Sequence, residues 1–228
     1  DIREINLLLA ELLVRFPKNP AARAAVDIAL HDVFTRFLGV PLVKYLGKHI
    51  DSMPTSITIG IKNVEETLKE AREYADRGFT VLKVKLGIDL DEDVERIVKL
   101  RETFGKHFVI RIDANQGYTP EKTIDFFNRT AHLGVELIEQ PLPAKDIAAM
   151  KQLPSAIRKV IAADESLLTP SSALELVKPP VASGIFNIKL MKCGGVSEAM
   201  RIASIAALET SKLSVCSLTS SRLSSRIG

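Results

Sequence analysis

The chain has 228 residues, 46% of them hydrophobic and 26% charged, with a formal net charge of +3. This is the composition of a globular chain long enough for one large domain or a domain with part of another, and it excludes disordered and fibrous classes. No long basic block and no membrane-length apolar run occurs, so neither a nucleic-acid partner nor a membrane span is expected.

Residues 1 to about 50 carry helical spacing and no convincing strand. Leu8, Leu12 and Leu13, then Ala22, Ala25, Val26, Ala29, Leu30 and Val33, recur at three- and four-residue steps. Pro17, Asn19 and Pro20 separate two helices, Gly39 with Pro41 ends the second, and Met53-Pro54 marks a boundary. The opening residues lack a signal-peptide layout and no Met begins the chain, so it is expected to start inside a longer polypeptide. Cys193 and Cys216 show no metal-binding or redox spacing, which points to a reducing, cytoplasmic compartment without disulfides.

From residue 55 the pattern alternates between short β-rich runs and amphipathic helical stretches. Strands are predicted at residues 56–61, 81–86, 109–113, 137–139, 160–163, 185–189 and 213–217. The repeat of about 25 residues suits one strand, loop and helix, and hence a parallel sheet. Seven such units with apolar strands favour a closed β/α barrel over an open sheet. An eight-stranded barrel needs one strand more, so the residues are read as an incomplete barrel, and the Ser-rich end fits no element.

In such a barrel the reactive groups stand at the C-terminal ends of the strands. Lys83 and Lys85 flank Val84 and share a face by the two-residue period of a strand. Asp113 and Asn115 share a face at the end of the third strand. Glu139 ends the fourth, Asp164 the fifth and Lys189 the sixth. Asp113, Glu139 and Asp164 are one β/α unit apart, which gathers three carboxylates into a hard anionic site suited to Mg²⁺. Only one of the adjacent pair Asp164 and Glu165 can point inward; the unit spacing selects Asp164 and leaves Glu165 outward or behind it. Lys85 and Lys189 flank the carboxylates. A lysine desolvated beside a metal and a second cation can have its pKa lowered toward neutrality and remove a proton next to a carboxylate. His31, His49, His107 and His132 fall away from the barrel mouth, so a histidine base is not expected. Cys193 is expected to be packed, and Gly194-Gly195 to make a tight turn or an approach for an anion. Thr58 on the first strand is a candidate substrate contact.

The ordered strings Lys83-Val84-Lys85, Asp113-Ala114-Asn115, Ile138-Glu139-Gln140-Pro141, Ala163-Asp164-Glu165-Ser166 and the run from Asn187 through Lys189 to Gly195 resemble the muconate-lactonizing-enzyme subgroup of the enolase superfamily, most closely its dipeptide epimerases of the L-Ala-D/L-Glu type. The resemblance implies a (β/α)7β barrel preceded by an α+β capping domain, with residues 1–50 as the last part of the cap and 51–228 as the barrel. It implies Asp113, Glu139 and Asp164 as Mg²⁺ ligands, and Lys85 and Lys189 as opposed acid/base catalysts acting through an enediolate. Lys83, with Thr58 and Asn115, would meet the substrate. The partner is then a small carboxylate such as a dipeptide, in a chain compatible with homo-oligomer formation. The strand that would carry an Asp-x-Asp pair in dipeptide epimerases does not occur here, and residues 216–221 depart from the family string after strand seven. Muconate cycloisomerase, o-succinylbenzoate synthase, N-acylamino-acid racemase and an inactive barrel fragment are the alternative readings.

Overall fold

The computed structural model describes residues 1–48, 51–52 and 54–209. Helices α1 (Ile5–Arg15), α2 (Pro20–Phe37) and α3 (Leu42–Tyr45) come first. The first two are divided at the proline cluster, as the spacing predicts, with Pro20 in the opening turn of α2, where its missing N–H costs nothing. Then follow β1 (Ile57–Ile59), α4 (Val64–Asp76), β2 (Val81–Lys85), α5 (Leu90–Phe104), β3 (Val109–Asp113), α6 (Pro120–Thr130) and β4 (Val135–Glu139). The chain continues through α7 (Ile147–Gln152), α8 (Ser155–Arg158), β5 (Ile161–Ala163), α9 (Pro170–Val177), β6 (Ile185–Phe186), α10 (Leu190–Cys193) and α11 (Val196–Glu209).

The six strands form one parallel sheet in chain order, β1 to β6. The helices α4, α5, α6 and α9 each begin with a side-chain cap. Asn63 accepts from the Glu66 N–H, Asp89 from those of Asp91 and Glu92, and Thr119 from that of Lys122. Thr169 and Ser172 form a reciprocal capping box at the start of α9. The outward strand residues Leu82, Val84, Ile110, Ile112 and Ile138 bury against helices α4 to α6. Phe186, Ile161 and Ala163 bury with Leu176 of α9 and Ile202 of α11. Inside, Leu137, Ala162 and Ile185 form a small apolar cluster. Above it the inward positions turn polar. β4 starts at Val135, two residues before the predicted Leu137, because the β3–β4 register slips at Ile110/Arg111. Glu136, the residue left out of the pairing, accepts a hydrogen bond from Arg111 Nε at 2.5 Å. β1 and β6 are shorter than the sequence predicts; residues 187–189 run beyond β6, where the Asn187 N–H still donates to the Ala163 carbonyl of β5 at 2.9 Å. The predicted seventh strand at 213–217, Cys216, the Ser-rich end and His49 lie outside the described residues.

The loops after β2 and β3 are clamped together. Buried Asp93 of α5 accepts from the Gly87 N–H at 2.8 Å and the Tyr118 hydroxyl at 2.7 Å, and pairs with Arg96. Backbones meet here: a methyl added at Gly117 would lie 2.0 Å from the Gly87 carbonyl oxygen, so only glycine fits. This clamp fixes the exits of the strands that carry Lys85 and Asp113.

Candidate active site

Strand register brings the polar residues together. Thr58 pairs with Lys83, Lys85 with Asp113, Asp113 with Glu139, and Glu139 with Ala162, two residues before Asp164. Neighbours in register share a face, so all of these side chains belong to the interior of the sheet. Lys83 Nζ stands between two carboxylates, 2.6 Å from Glu139 Oε2 and 3.0 Å from Asp113 Oδ2. Lys189 Nζ lies 2.5 Å from Asp164 Oδ2 and 3.5 Å from Glu139 Oε1. Asn187 Nδ2 donates to Glu139 Oε1 at 2.9 Å. The three carboxylate residues are deeply buried: Asp113 is 6% exposed, Glu139 4% and Asp164 2%. Charges at that depth need partners, and the lysines supply them.

Ammonium groups therefore stand between the carboxylates. Among the described residues no three His, Cys, Asp or Glu side chains are grouped closely enough to hold a metal as placed. Burial pushes the Glu139 carboxyl above the usual range, beyond what the Lys83 charge offsets. Burial also acts on Asp164, but hydrogen bonds from Lys189 and Lys192 outweigh it and hold that carboxyl low. Burial does push Lys83 and Lys189 down, yet Glu139 and Asp113 for the first and Asp164 for the second outweigh it, and both ammonium groups are raised. Their nearest charges are the carboxylates of neighbouring strands. Lys85 is half-buried and has no ion pair among the described residues.

Asn115 is exposed, and its backbone at φ 45° lets its N–H donate to Asp113 Oδ1 at 3.1 Å. Glu165 is half-buried, with Oε1 3.7 Å from Lys192 Nζ and Oε2 buried without a hydrogen-bond partner. His31 is buried in α2, whereas His107 is exposed in a loop and His132 is exposed in a short 3-10 helix, Ala131–Leu133. Cys193 is packed.

Sequence reasoning misses two residues of the site. Lys192 Nζ lies 2.8 Å from Asp164 Oδ1, so Asp164 is held by two lysines. The three-residue step from Lys189 to Lys192 across the first turn of α10 is the signal that could have found it. Gln140, fully buried and at φ 35°, joins β4 to β5. Its Oε1 accepts from the N–H of Asp164 at 3.0 Å, the N–H of Ser166 at 3.1 Å and the Ser166 hydroxyl at 2.8 Å. Its Nε2 donates to the Leu142 carbonyl at 2.9 Å. Gln140→Leu strands these donors in the interior and should cost about 2–4 kcal/mol in chemical denaturation. A loss below about 0.5 kcal/mol would show that Gln140 does not hold the Asp164 loop.

The parallel sheet of βα units thus gathers carboxylate and lysine side chains at its strand ends. Residues 66–224 match the enolase C-terminal domain-like family, and the chain belongs to it. The L-Lys-D/L-Arg epimerase of Desulforapulum autotrophicum is 53% identical over 206 residues, which cover 90% of this chain and 58% of that protein. The crystal structure of a dipeptide epimerase from Methylococcus capsulatus, complexed with Mg and the dipeptide L-Arg-D-Lys, is similar at TM-score 0.91 and 53% identity. That likeness covers 93% of this chain and 60% of the other. The L-Ala-D/L-Glu epimerase of Bacillus subtilis is 38% identical over 191 residues, covering 82% of this chain and 52% of that protein. The chain thus spans a little over half the length of the curated relatives it matches. No helix among the described residues is long and apolar enough to cross a membrane.

Proposed function

We propose that this chain carries the acid/base centre of a Mg²⁺-dependent dipeptide epimerase, with residues 1–50 belonging to a capping domain and 51–228 to the barrel. The observation that carries the reading is the interleaving of carboxylate and lysine at consecutive strand ends: Asp113, Glu139 and Asp164 against Lys83, Lys85 and Lys189. The donor set fits the cation. Three buried carboxylates, each with a cationic neighbour, and a buried Glu165 oxygen without a partner are hard oxygen donors. Asp113, Glu139 and Asp164 would hold Mg²⁺. Bound there, it supplies positive charge where a substrate carboxylate gains negative charge.

Lys85 and Lys189 stand on opposite sides of that carboxylate row. One removes the proton α to the substrate carboxylate, and the other returns a proton to the opposite face of the enediolate. The carbon is thereby inverted with no net change in atoms. Thr58, Lys83 and Asn115 contribute to substrate binding and charge balance in this reading. The relatives that are 53% and 54% identical are named for Lys and Arg dipeptides, and those at 38% include one named for L-Ala-D/L-Glu. This favours a cationic dipeptide as substrate over L-Ala-L-Glu.

The test uses the natural full-length protein with Mg²⁺ in D₂O, offering L-Lys-L-Arg and L-Ala-L-Glu separately and following the α-proton by NMR. The expected result is loss of the Arg α-proton with appearance of the epimer. A protein that binds Mg²⁺ but exchanges no dipeptide proton overturns the epimerase reading in favour of cycloisomerase, synthase or acylamino-acid racemase chemistry. A protein that binds no Mg²⁺ overturns the enzyme reading and favours an inactive barrel.

A further inference from the structure

The turn that presents Lys189 and Lys192 is held from outside the sheet. It closes on itself through bonds from the N–H groups of Cys193 to the Lys189 carbonyl, and of Gly194 and Gly195 to the Leu190 carbonyl, each at 3.0 Å. Its far end joins α11, whose first N–H groups have no partner within their own helix. Asp27, from the middle of α2, supplies one. Its Oδ1 accepts from the Val196 N–H at 2.6 Å, and its two oxygens lie 3.4 and 3.3 Å from the Ser197 N–H. Asp27 is 2% exposed, and α2 reaches this point only because the turn is bare. A methyl at Gly195 would sit 2.5 Å from Asp27 Cβ, and one at Gly194 2.6 Å from Arg23 Nη2. Gly194 and Gly195 have strongly positive φ, 105° and 119° respectively. Buried His31, one helical turn along, has Nδ1 2.9 Å from the Asp27 carbonyl oxygen and 3.3 Å from Asp27 Oδ1, and so braces both the backbone and the carboxylate of Asp27.

We propose that Asp27 is a positioning residue for Lys189: through it, the helices of residues 1–50 set the angle of the turn that aims this lysine at the substrate. The inference rests on reading Lys189 as one of two opposed acid/base lysines. It explains why a carboxylate is buried in an otherwise helical packing contact, where an apolar side chain would do. Val196 and Ser197 follow Lys189 across the single turn of α10 and the Gly194-Gly195 turn, so a shift of α11 against α2 is passed to Lys189 through a closed loop rather than absorbed by slack.

The experiment measures α-proton exchange in D₂O from each epimer of the dipeptide separately, in the full-length protein with Mg²⁺. Lys189→Ala first identifies the epimer whose proton Lys189 takes. Asp27→Ala should then slow exchange of that epimer on the order of tenfold, with less than about twofold change for the other. Asp27→Asn keeps an oxygen for the Val196 N–H and should restore most of the loss. If Asp27→Ala does not fold, His31→Leu, which keeps the carboxylate but removes its support, should give the same epimer-selective loss in milder form. Equal slowing of both epimers, or no slowing of either, overturns the positioning role. A wild-type protein that exchanges neither epimer overturns the epimerase reading itself, and this role with it.

Discussion

Lys189→Ala and Lys85→Ala should each lower the epimerisation rate by about 10²–10⁴-fold, the usual contribution of a positioned acid or base. The two losses should differ in kind. Lys85 lies on β2 and Lys189 beyond β6, with the Asp113–Glu139–Asp164 row between them. Removing one lysine leaves the other facing its own side of the α-carbon. That lysine can still take a proton, trade it for deuterium and return it to the same face. Each variant should therefore exchange one epimer without inverting it, and the two variants should prefer opposite epimers. NMR of the α-proton in D₂O, started from each pure epimer, separates exchange from inversion. If both variants retain inversion, or both lose exchange from the same epimer, the opposed-lysine assignment is wrong.

The second large effect is on stability. Lys83 Nζ is the shared partner of Asp113 and Glu139, all three nearly inaccessible to water. Lys83→Met keeps the length and apolar stem of the side chain but removes its charge. Two carboxylates on adjacent strands are then left close together, with Glu139 keeping Asn187 and the more distant Lys189. Breaking one side of a buried pair costs about 3–5 kcal/mol, mostly because a buried charge is left uncompensated. The expected result in urea denaturation with EDTA is a loss of that size. Added Mg²⁺ should return part of it, because a cation held by the same carboxylates replaces the missing charge. A loss below about 1 kcal/mol in EDTA would mean that Lys83 is not the counter-charge of the pair. A full loss that Mg²⁺ does not reduce would argue against Asp113 and Glu139 as its ligands.

Most of the architecture was legible in the residues because it is local. The strand period of two is enough to put Lys83 with Lys85, and the repeat of one β/α unit is enough to stack Asp113, Glu139 and Asp164 on neighbouring strands. Pro17, Pro20 and Gly39 divide the early helices through backbone restrictions that act within a residue or two. The exact start of β4 was not legible, because the bulge that moves it depends on which residue of β3 faces which of β4.

Charge state and support belong to the tertiary structure. Burial does act on Lys83 and Lys189, but the carboxylates that determine the net effect come from other strands. Gln140 reads as an ordinary polar residue after Glu139 until β5 is laid beside β4 and supplies three donors for one oxygen. Asp27 is the extreme case. Its partner Val196 is 169 residues away, and no period or spacing relates them. The sequence by itself determined the repeating units, the face each strand turns inward and the kinds of side chain at its end, since these depend on backbone geometry over a few residues. Only the tertiary structure decided which charges meet, how deeply they are buried and which helix steadies the lysine turn, because electrostatic pairing and close packing depend on distance in space, whatever the separation along the chain.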